Sequence, residues 1–524
     1  MSARLKGRII SSFKLYGLSL RSGAVKYLTD VLQPVSEVEV EKWLDTIVNG
    51  VQKLPLTSSF IDRDCIELAV QNSSGGTDKE SDKVFEVIDA FRVPRLSYNI
   101  DRKKFVLNEA IESVLCLHAS ADAKAELFKE RFTVLHQRTL RHELFTPPAA
   151  GASVGQQSKK FQLRPVEYLL GTTSRLGRVI VLGMLIQLKE GKYFLEDPTG
   201  SVELDLSQAT FHTGIFTEYC FVLAEGMYDD GIFHVSALGF PPAEASKATR
   251  SYFGNMNFFG GSSATSAKSS SYLAKVEAEN PDAMFVFLSD VWLDQPKVMD
   301  KLRVLFSGYA DMLPTAFVFC GHFCSAPYGP EHARTVKKCF RELADLVCEF
   351  ESLAENCRFV FVPGPLDPGP GNILPRPPIP DILTEDIRGR LPLAVFASNP
   401  CRIQFCTQEI VVFREDITNK MCRNCVRFPS DKETIPTHLV KTVNAQAHLC
   451  PLPLHVRPLY WSYDNALRVY PLPDLIVFAD KYDPFQVENA DCISINPGSF
   501  PKTKFQFKVY WPQRRLVEDS QIPD

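Results

Sequence analysis

The run Met284-Phe285-Val286-Phe287-Leu288-Ser289-Asp290-Val291-Trp292 opens with five apolar residues and then turns polar. An apolar run of that length with a polar exit predicts a strand buried on both faces. The pattern recurs at Thr315 to Ser325 (TAFVFCGHFCS) and at Arg358 to Asp367 (RFVFVPGPLD). Between these runs, Lys297 to Tyr309 and Glu331 to Phe350 carry helical periodicity. Strands alternating with helices predict an α/β domain whose strands lie between helical layers. Further strands are expected near Leu393, Ile403, Val411, Leu475, Ile493 and Phe507, and Pro363 to Pro380 is too proline-rich for a regular element.

Working upstream, the Gly/Ser/Ala-rich run Gly260 to Ser271 is expected to be a mobile loop. Before it the period becomes two. Arg178 to Leu188, Tyr193 to Glu196, Val202 to Leu206, Phe221 to Glu225 and Ile232 to Leu238 read as strands, with turns at Glu190-Gly191, Pro198-Thr199-Gly200 and Asp229-Asp230-Gly231. Five strands with a helix-length segment between the third and fourth predict an OB-fold barrel. From Arg178 to Phe240 nine carboxylates face three cations, a net charge of −6. Barrels that hold single strands use a basic groove and exposed aromatics. The acidic sign therefore predicts a protein-facing barrel, with Tyr193, Phe194, Phe211 and Phe233 as core residues.

Residues 1 to 72 read as a helical domain without chemistry. A helix capped by Ser36 and running to Lys53 aligns Val40, Trp43, Leu44, Ile47, Val48 and Val51. A helix from Ser58 or Ser59 turns Ile61, Cys65, Ile66 and Ala69 inward, and Arg8 to Leu15 and Gly23 to Leu32 supply two more. Asn72 to Asp82 is a polar break. Two helical patterns follow within 80 to 145. The second, Asp122 to Glu143, is rich in Lys, Arg and His, which predicts a solvated face. Pro147 to Ser158 reads as a flexible connector. The expected division is a helical domain at 1–72, a linker with helical segments at 73–160, the barrel at 165–245 and the α/β domain at 253–524.

A length of 524 residues predicts three or four domains, and 45% hydrophobic with 23% charged residues suits packed cores. The net charge of −4 argues against backbone-driven nucleic-acid binding. The 14 cysteines lack disulfide spacing and predict reduced thiols. Cys422 and Cys425 form a lone CxxC, to which Cys401, Cys406 and Cys450 add no second pair, so ordinary thiols are expected there. Met1 to Arg21 has no apolar leader core, and no run reaches membrane-spanning length. A soluble intracellular chain is expected. No Walker A loop or GxSxG elbow occurs.

In order and spacing the three strand exits resemble the calcineurin-like metallophosphoesterases, whose motifs read DxH, GDxxD, GNHD and, late in the chain, GHxH. Ile495-Asn496-Pro497-Gly498-Ser499 looks like the stretch after the last motif. The resemblance implies a two-metal hydrolytic centre, which needs converging His, Asp and Asn donors. Those donors do not carry over. Asp290 keeps the first Asp, but Trp292 replaces the His. His322 and Ser325 stand where two Asp belong. Pro365 and Leu366 replace Asn and His, leaving Asp367. Ala479-Asp480-Lys481-Tyr482 takes the GHxH place, with Asp480 and Tyr482 at ligand positions. A degenerate site with no catalytic residue, metal or other cofactor is expected. The alternatives are an active metallophosphoesterase with unusual ligands and a single-strand nucleic-acid binder.

An OB-fold joined to an inactivated calcineurin-like domain is similar to the B-subunits of replicative DNA polymerases. Phe13 to Leu28 (FKLYGLSLRSGAVKYL), Leu135 to Pro148 (LHQRTLRHELFTPP), Leu188 to Gly200 (LKEGKYFLEDPTG), Phe287 to Asp294 (FLSDVWLD), Asn419 to Pro429 (NKMCRNCVRFP) and Ile495 to Pro501 (INPGSFP) carry this likeness over nearly the whole chain. The resemblance implies a multidomain α+β chain: an N-terminal helical bundle like the C-domain of AAA+ ATPases, an OB-fold β-barrel, and an α/β calcineurin-like domain lacking metal ligands. It also implies a non-catalytic scaffold in the nucleus. The implied partners are the zinc-binding C-terminal module of the polymerase catalytic subunit, the small histone-fold subunits of the same complex, and the GINS complex of the replicative helicase through the N-terminal domain. DNA would be met only through the complex.

Overall fold

The computed structural model describes residues 2–32, 40, 43–44, 47–48, 50–51, 60–73, 83–107, 116–146, 161–327, 329–431 and 433–523. The cap expected at Ser36, the helix start expected at Ser58 or Ser59, most of the polar break and the connector Pro147 to Ser158 lie outside these residues.

Within them, helices α1 (Ser2–Leu15), α2 (Ser22–Leu32) and α3 (Arg63–Ser73) surround the short parallel pair β1 (Ser19–Leu20) and β2 (Phe60–Ile61). Ile9, Phe13, Leu28, Leu44, Ile47, Val48, Val51 and Ile66 share one core. Their spacing of three and four puts them on single helix faces.

The next segment corrects the expectation of a helix and of a linker. Strand β3 (Phe85–Asp89) pairs antiparallel with Cys401–Phe405, and β4 (Leu96–Asn99) and β5 (Lys104–Leu107) form a hairpin. Phe85, opposite Phe405, stacks at 6.2 Å on Phe285. The partner strand, supplied from over 300 residues away, decides a conformation that local pattern left open. Helix α4 (Ala121–Arg141) also departs from its expected solvated face: Arg131, Gln137 and Arg138 are buried along with Leu127, Val134 and Leu135.

The barrel begins with β6 (Leu163–Arg164) and helix α5 (Val166–Leu170). Strands β7 (Leu176–Lys189), β8 (Lys192–Asp197), β9 (Gly200–Asp205), β10 (Thr210–Phe211), β11 (Phe221–Asp229) and β12 (Ile232–Gly239) then run in the order β10-β12-β11-β7-β8-β9. Pairing of β12 with β9 closes the barrel. At Gly226, where the register of β11 shifts, a Cβ would lie 2.1 Å from the His234 carbonyl oxygen, so the bulge needs glycine. The helix-length segment between the third and fourth strands contains no helix among the described residues. That segment holds β10 and an extended loop, and the barrel's helix comes first, where Asp197 Oδ2 accepts from the Val166 amide at 2.9 Å.

Helices α6 (Ser246–Phe253) and α7 (Ser271–Glu279) lead into the α/β body. The loop expected to be mobile between them is tied down. The Asn257 side chain bonds Phe259 N, Gly260 N, Gly260 O and Ser263 O, and Phe259 and Ala267 are buried. Beyond it lie β13 (Phe285–Ser289), β14 (Ala316–Cys320), β15 (Arg358–Val362), β16 (Ala394–Phe396), β17 (Cys401–Phe405), β18 (Gln408–Val412), β19 (Leu475–Val477), β20 (Phe485–Asn489), β21 (Cys492–Asn496), β22 (Gln506–Trp511) and β23 (Leu516–Gln521). They form two sheets, β16-β15-β14-β13-β22-β23 and β20-β21-β19-β18-β17-β3. Phe285, Phe287, Val318 and Val360 of the first meet Ile403, Ile410, Val412 and Val477 of the second. Helices α8 (Pro296–Tyr309), α9 (His332–Cys348), α10 (Glu351–Asn356) and α11 (Asp381–Arg390) cover the first sheet's outer face through Val286, Leu288, Phe317 and Phe359. Helices α12 (Ile417–Arg423) and α13 (Ile435–Gln446) cover the second. The expectation of strands between two helical layers is thus corrected to sheet on sheet. An apolar run states that both faces are buried, not what buries them.

Candidate functional site

The parallel strands β13, β14 and β15 of one sheet and β18, β19 and β21 of the other send their carboxyl-terminal exits to one place. That is where α/β sheets carry sites. The two sets are cross-linked there: Ser289 Oγ donates to the Ala479 carbonyl at 3.2 Å, and Phe500 N to the Ser289 carbonyl at 2.8 Å. Asp290 and Ala479 leave their strands at φ 53° and 42°, a sparsely populated region for such residues that the surrounding exits hold in place.

The centre of this cluster is Arg414, at the exit of β18 and fully buried. Its Nη2 donates to Asp290 Oδ1 at 2.7 Å and its Nη1 to Asp416 Oδ1 at 2.9 Å. Nε donates to the Gly321 carbonyl, and Nη2 lies 3.4 Å from His322 Nδ1. The Arg414 backbone is gripped by one side chain, Asn399, at both its N–H (3.0 Å) and its C=O (2.7 Å). Burial alone would raise the Asp290 carboxyl, but Arg414 and His322 outweigh it and hold it well below the usual carboxylate range. Burial likewise opposes the Arg414 charge, and Asp290 with Asp416 overcomes it, raising the guanidinium. Lys481 Nζ sits 3.4 Å from Asp416 Oδ2, so two cations match two carboxylates.

The structure brings the sequence-predicted positions together without making them one donor set. Asp290 and His322 face Arg414. Asp367 accepts from Phe323 N at 2.9 Å and Gly364 N at 2.7 Å, and burial raises its carboxyl. Asp480 accepts from Thr418 N and Oγ1 and from Tyr482 N; burial raises it too. Ser325 turns away to Asp294, with Oγ to Oδ2 at 2.6 Å. Trp292 packs half-buried on the core under Lys502, whose Nζ is 5.5 Å from the ring centre. Tyr482 packs on the opposite core. Pro365 offers only its carbonyl, already taken by Arg376 Nη1 at 3.2 Å, and Leu366 has no donor atom. Among the described residues no group of three or more His, Cys, Asp or Glu side chains is arranged to hold a metal ion. The donors here do not fit a metal pair. Arg414 escaped the sequence reading. Its signal was a fourth apolar exit, Val411-Val412-Phe413-Arg414-Glu415-Asp416, which carries no family motif.

A second feature is the seam between the barrel and the α/β body. Phe221 N donates to Gln446 Oε1 at 2.7 Å while Gln446 Nε2 donates to the Phe221 carbonyl at 2.8 Å. Thr217 Oγ1 donates to the Pro451 carbonyl, Gly214 N to His438 Nδ1, and Ile215 N to Thr442 Oγ1, all buried. Helix α4 clamps the joint. Arg131 pairs with Asp464 at 2.5 Å, and Arg138 donates to the carbonyls of Asn444, Ala445 and Pro241. Beside the clamp a groove of about 1420 Å³ is lined by Tyr98, Phe132, Leu140, Leu163 and Tyr252, hence by the hairpin, α4, the barrel and α6 together.

Comparison with known proteins covers all these parts. Residues 1–73 match the model "DNA polymerases epsilon N terminal". Residues 121–242 match "DNA polymerase epsilon subunit 2-like, OB-fold domain", and residues 285–487 match the model of the DNA polymerase alpha/epsilon B-subunit. DNA polymerase epsilon subunit 2 of Bos taurus is 57% identical over 520 residues, covering 99% of each chain. The Drosophila melanogaster subunit 2 is 43% identical over 522 residues, covering 99% of this chain and 98% of the relative. The DNA polymerase epsilon B-subunit of Arabidopsis thaliana is 37% identical, covering 99% of both. A solved archaeal phosphodiesterase covers 45% of this chain at 10% identity and a TM-score of 0.25, a likeness too slight to bear on function. An identity above one half across the full length, spanning helical domain, barrel and α/β body alike, establishes that this chain belongs to the DNA polymerase epsilon subunit 2 family.

Proposed function

We propose that the chain is a non-catalytic accessory subunit of the DNA polymerase epsilon holoenzyme, acting in the nucleus as a rigid platform. In this reading the barrel and α/β body together receive the C-terminal zinc module of the catalytic subunit. The small histone-fold subunits belong to the same assembly. The N-terminal helical domain links it to GINS and the replicative helicase, and DNA is met only through the complex. Family membership supports the assembly, and the seam is the observation that carries the platform. Buried side chains on both sides exchange hydrogen bonds with backbone, and α4 inserts two arginines across it. A joint of that kind does not hinge, so a groove built from several elements keeps its shape. A preformed apolar groove costs a partner little ordering on binding. The absence of hydrolysis is supported by the occupation of the strand-end centre by Arg414.

The test is co-purification of the full chain with the C-terminal module of the catalytic subunit. The pair Leu140→Arg and Tyr252→Asp, both at exposed positions of the groove, is expected to abolish capture while leaving the unfolding midpoint unchanged. Undiminished capture by this variant would refute the composite surface. Removing residues 1–73 should spare that capture and weaken contact with helicase components. Manganese-dependent phosphodiester cleavage by the purified chain would refute the non-catalytic reading.

A further inference from the structure

We propose that Arg414 is the resident cation of the strand-end site: a covalently attached charge that has taken over the gathering and neutralising of carboxylates that metal ions would otherwise perform. The misfit between donors and metals is the starting point. Trp292, Pro365 and Leu366 supply no side-chain ligand atom, and Asp367 and Asp480 spend their oxygens on backbone amides and the Thr418 hydroxyl. The groups still aimed at the centre are Asp290, His322 and Asp416, and Arg414 meets them at 2.7, 3.4 and 2.9 Å.

Two further observations single out this centre. Asp290 Oδ2 and His322 Nε2 are buried without any hydrogen-bond partner. Buried polar atoms are normally paired, so the charge of this pair is left to Arg414, which already meets Asp290 Oδ1 and His322 Nδ1. The cation itself is well chosen for the task. A guanidinium is planar, permanently charged and carries five N–H donors, so one side chain can serve several acceptors at fixed angles. Here it reaches the exit of β13 through Asp290, the exit of β14 through the Gly321 carbonyl, and its own exit through Asp416. Both sheets are therefore tied at one point by a charge that cannot dissociate. Asn399, holding the Arg414 backbone on both sides, fixes where the charge is delivered.

The inference rests on the non-catalytic reading of the site. Its test reads which cation the free chain holds, not partner binding, so the two can fail separately. In the full-length chain, Arg414→Ala is expected to lower the thermal midpoint sharply. Low, non-denaturing guanidinium should recover at least half of that loss, while sodium chloride of equal ionic strength recovers none and the wild type gains nothing from either. If Arg414→Ala yields no folded protein, Arg414→Gln is compared with Asp290→Asn/Arg414→Gln. The double variant, having lost both charges, is expected to be the more stable and more soluble of the two. Three results overturn the proposal: no guanidinium-specific recovery in a folded Arg414→Ala, a double variant no better than Arg414→Gln, or stoichiometric manganese bound by the wild type and lost in Asp290→Ala.

Discussion

Two buried arginines, Arg414 at the strand exits and Arg138 in α4, are held in opposite ways. Arg414 is met by carboxylates, and its charge is raised against the pull of burial. Arg138 is met by peptide carbonyls. Two of these belong to Asn444 and Ala445 in the last turn of α13, so Arg138 caps a helix end in another domain. There burial dominates and lowers the guanidinium to about 10, with Tyr470 and Glu244 only partly opposing it. A cation matched by charges and a cation solvated by dipoles answer differently when removed. The first leaves a bare carboxylate, Asp290, in a dry interior; the second leaves neutral carbonyls that water or a local shift can satisfy.

The largest effect should therefore come from Arg414→Met. Stranding Asp290, while Asp416 keeps Lys481 at 3.4 Å, is expected to cost about 3–5 kcal/mol, the usual loss on breaking a buried ion pair from one side. Urea unfolding of the full chain measures it, and a loss below that of Arg138→Met would break the comparison.

Next comes the pH response of the seam. His448 lies beside Arg131 and Asp464. Cys450 N donates to its Nδ1 at 3.0 Å, so the single ring proton sits on Nε2, toward Asp464. Burial and then Arg131 push the imidazole down to about 4, Asp464 resisting, while the unfolded ring titrates near 6.5. The unfolded chain thus takes the proton first as pH falls. Stability carried by the neutral ring is complete above about pH 6.5 and is lost between there and about pH 4, by up to about 3 kcal/mol. Urea midpoints across that range should show this slope in the wild type and lose it in His448→Gln. Equal slopes in both proteins would remove His448 from the account.

Arg138→Met should cost less, about 1–3 kcal/mol, as befits unsatisfied neutral acceptors. It should also loosen the seam, read as faster amide exchange in the last turn of α13. Unchanged exchange would show that Arg138 does not cap that helix. The smallest effect is expected from Trp292→His. Returning a ligand-type residue while Arg414 stays in place should confer no manganese uptake by metal analysis of the pure protein. One equivalent bound would show that the site lacks only that ligand.

Much of the architecture could be read along the chain. The apolar runs Phe285 to Leu288 and Phe317 to Cys320 are strands, and the alternating segments from Arg178 to Leu238 close a barrel. Helices α8 and α9 lie within a residue or two of their expected bounds. The misreadings share one cause. Residues 85–89 and the charged face of α4 look helical or solvated in isolation and are decided by partners over 300 residues distant, and the loop after Asn257 is held by that side chain together with Glu86, 176 residues away.

At the site, the side chains standing at the metal-ligand positions of the resembled family were plain from the sequence alone, because what Trp292, Pro365 or Leu366 can donate is a property of the residue itself. Near Val411 only a strand was legible, and the charged exit Arg414-Glu415-Asp416 carried no family motif to mark it. Which charge would be buried was not local information. Arg414 ends among Asp290, His322 and Asp416 only because two sheets stack and bring six strand exits together, and Arg131 and Arg138 are dry only because the barrel closes on the α/β body over α4. Residue chemistry travels with the chain, whereas burial is created by pieces of chain far apart in sequence, so the tertiary structure alone decided which cations lie inside.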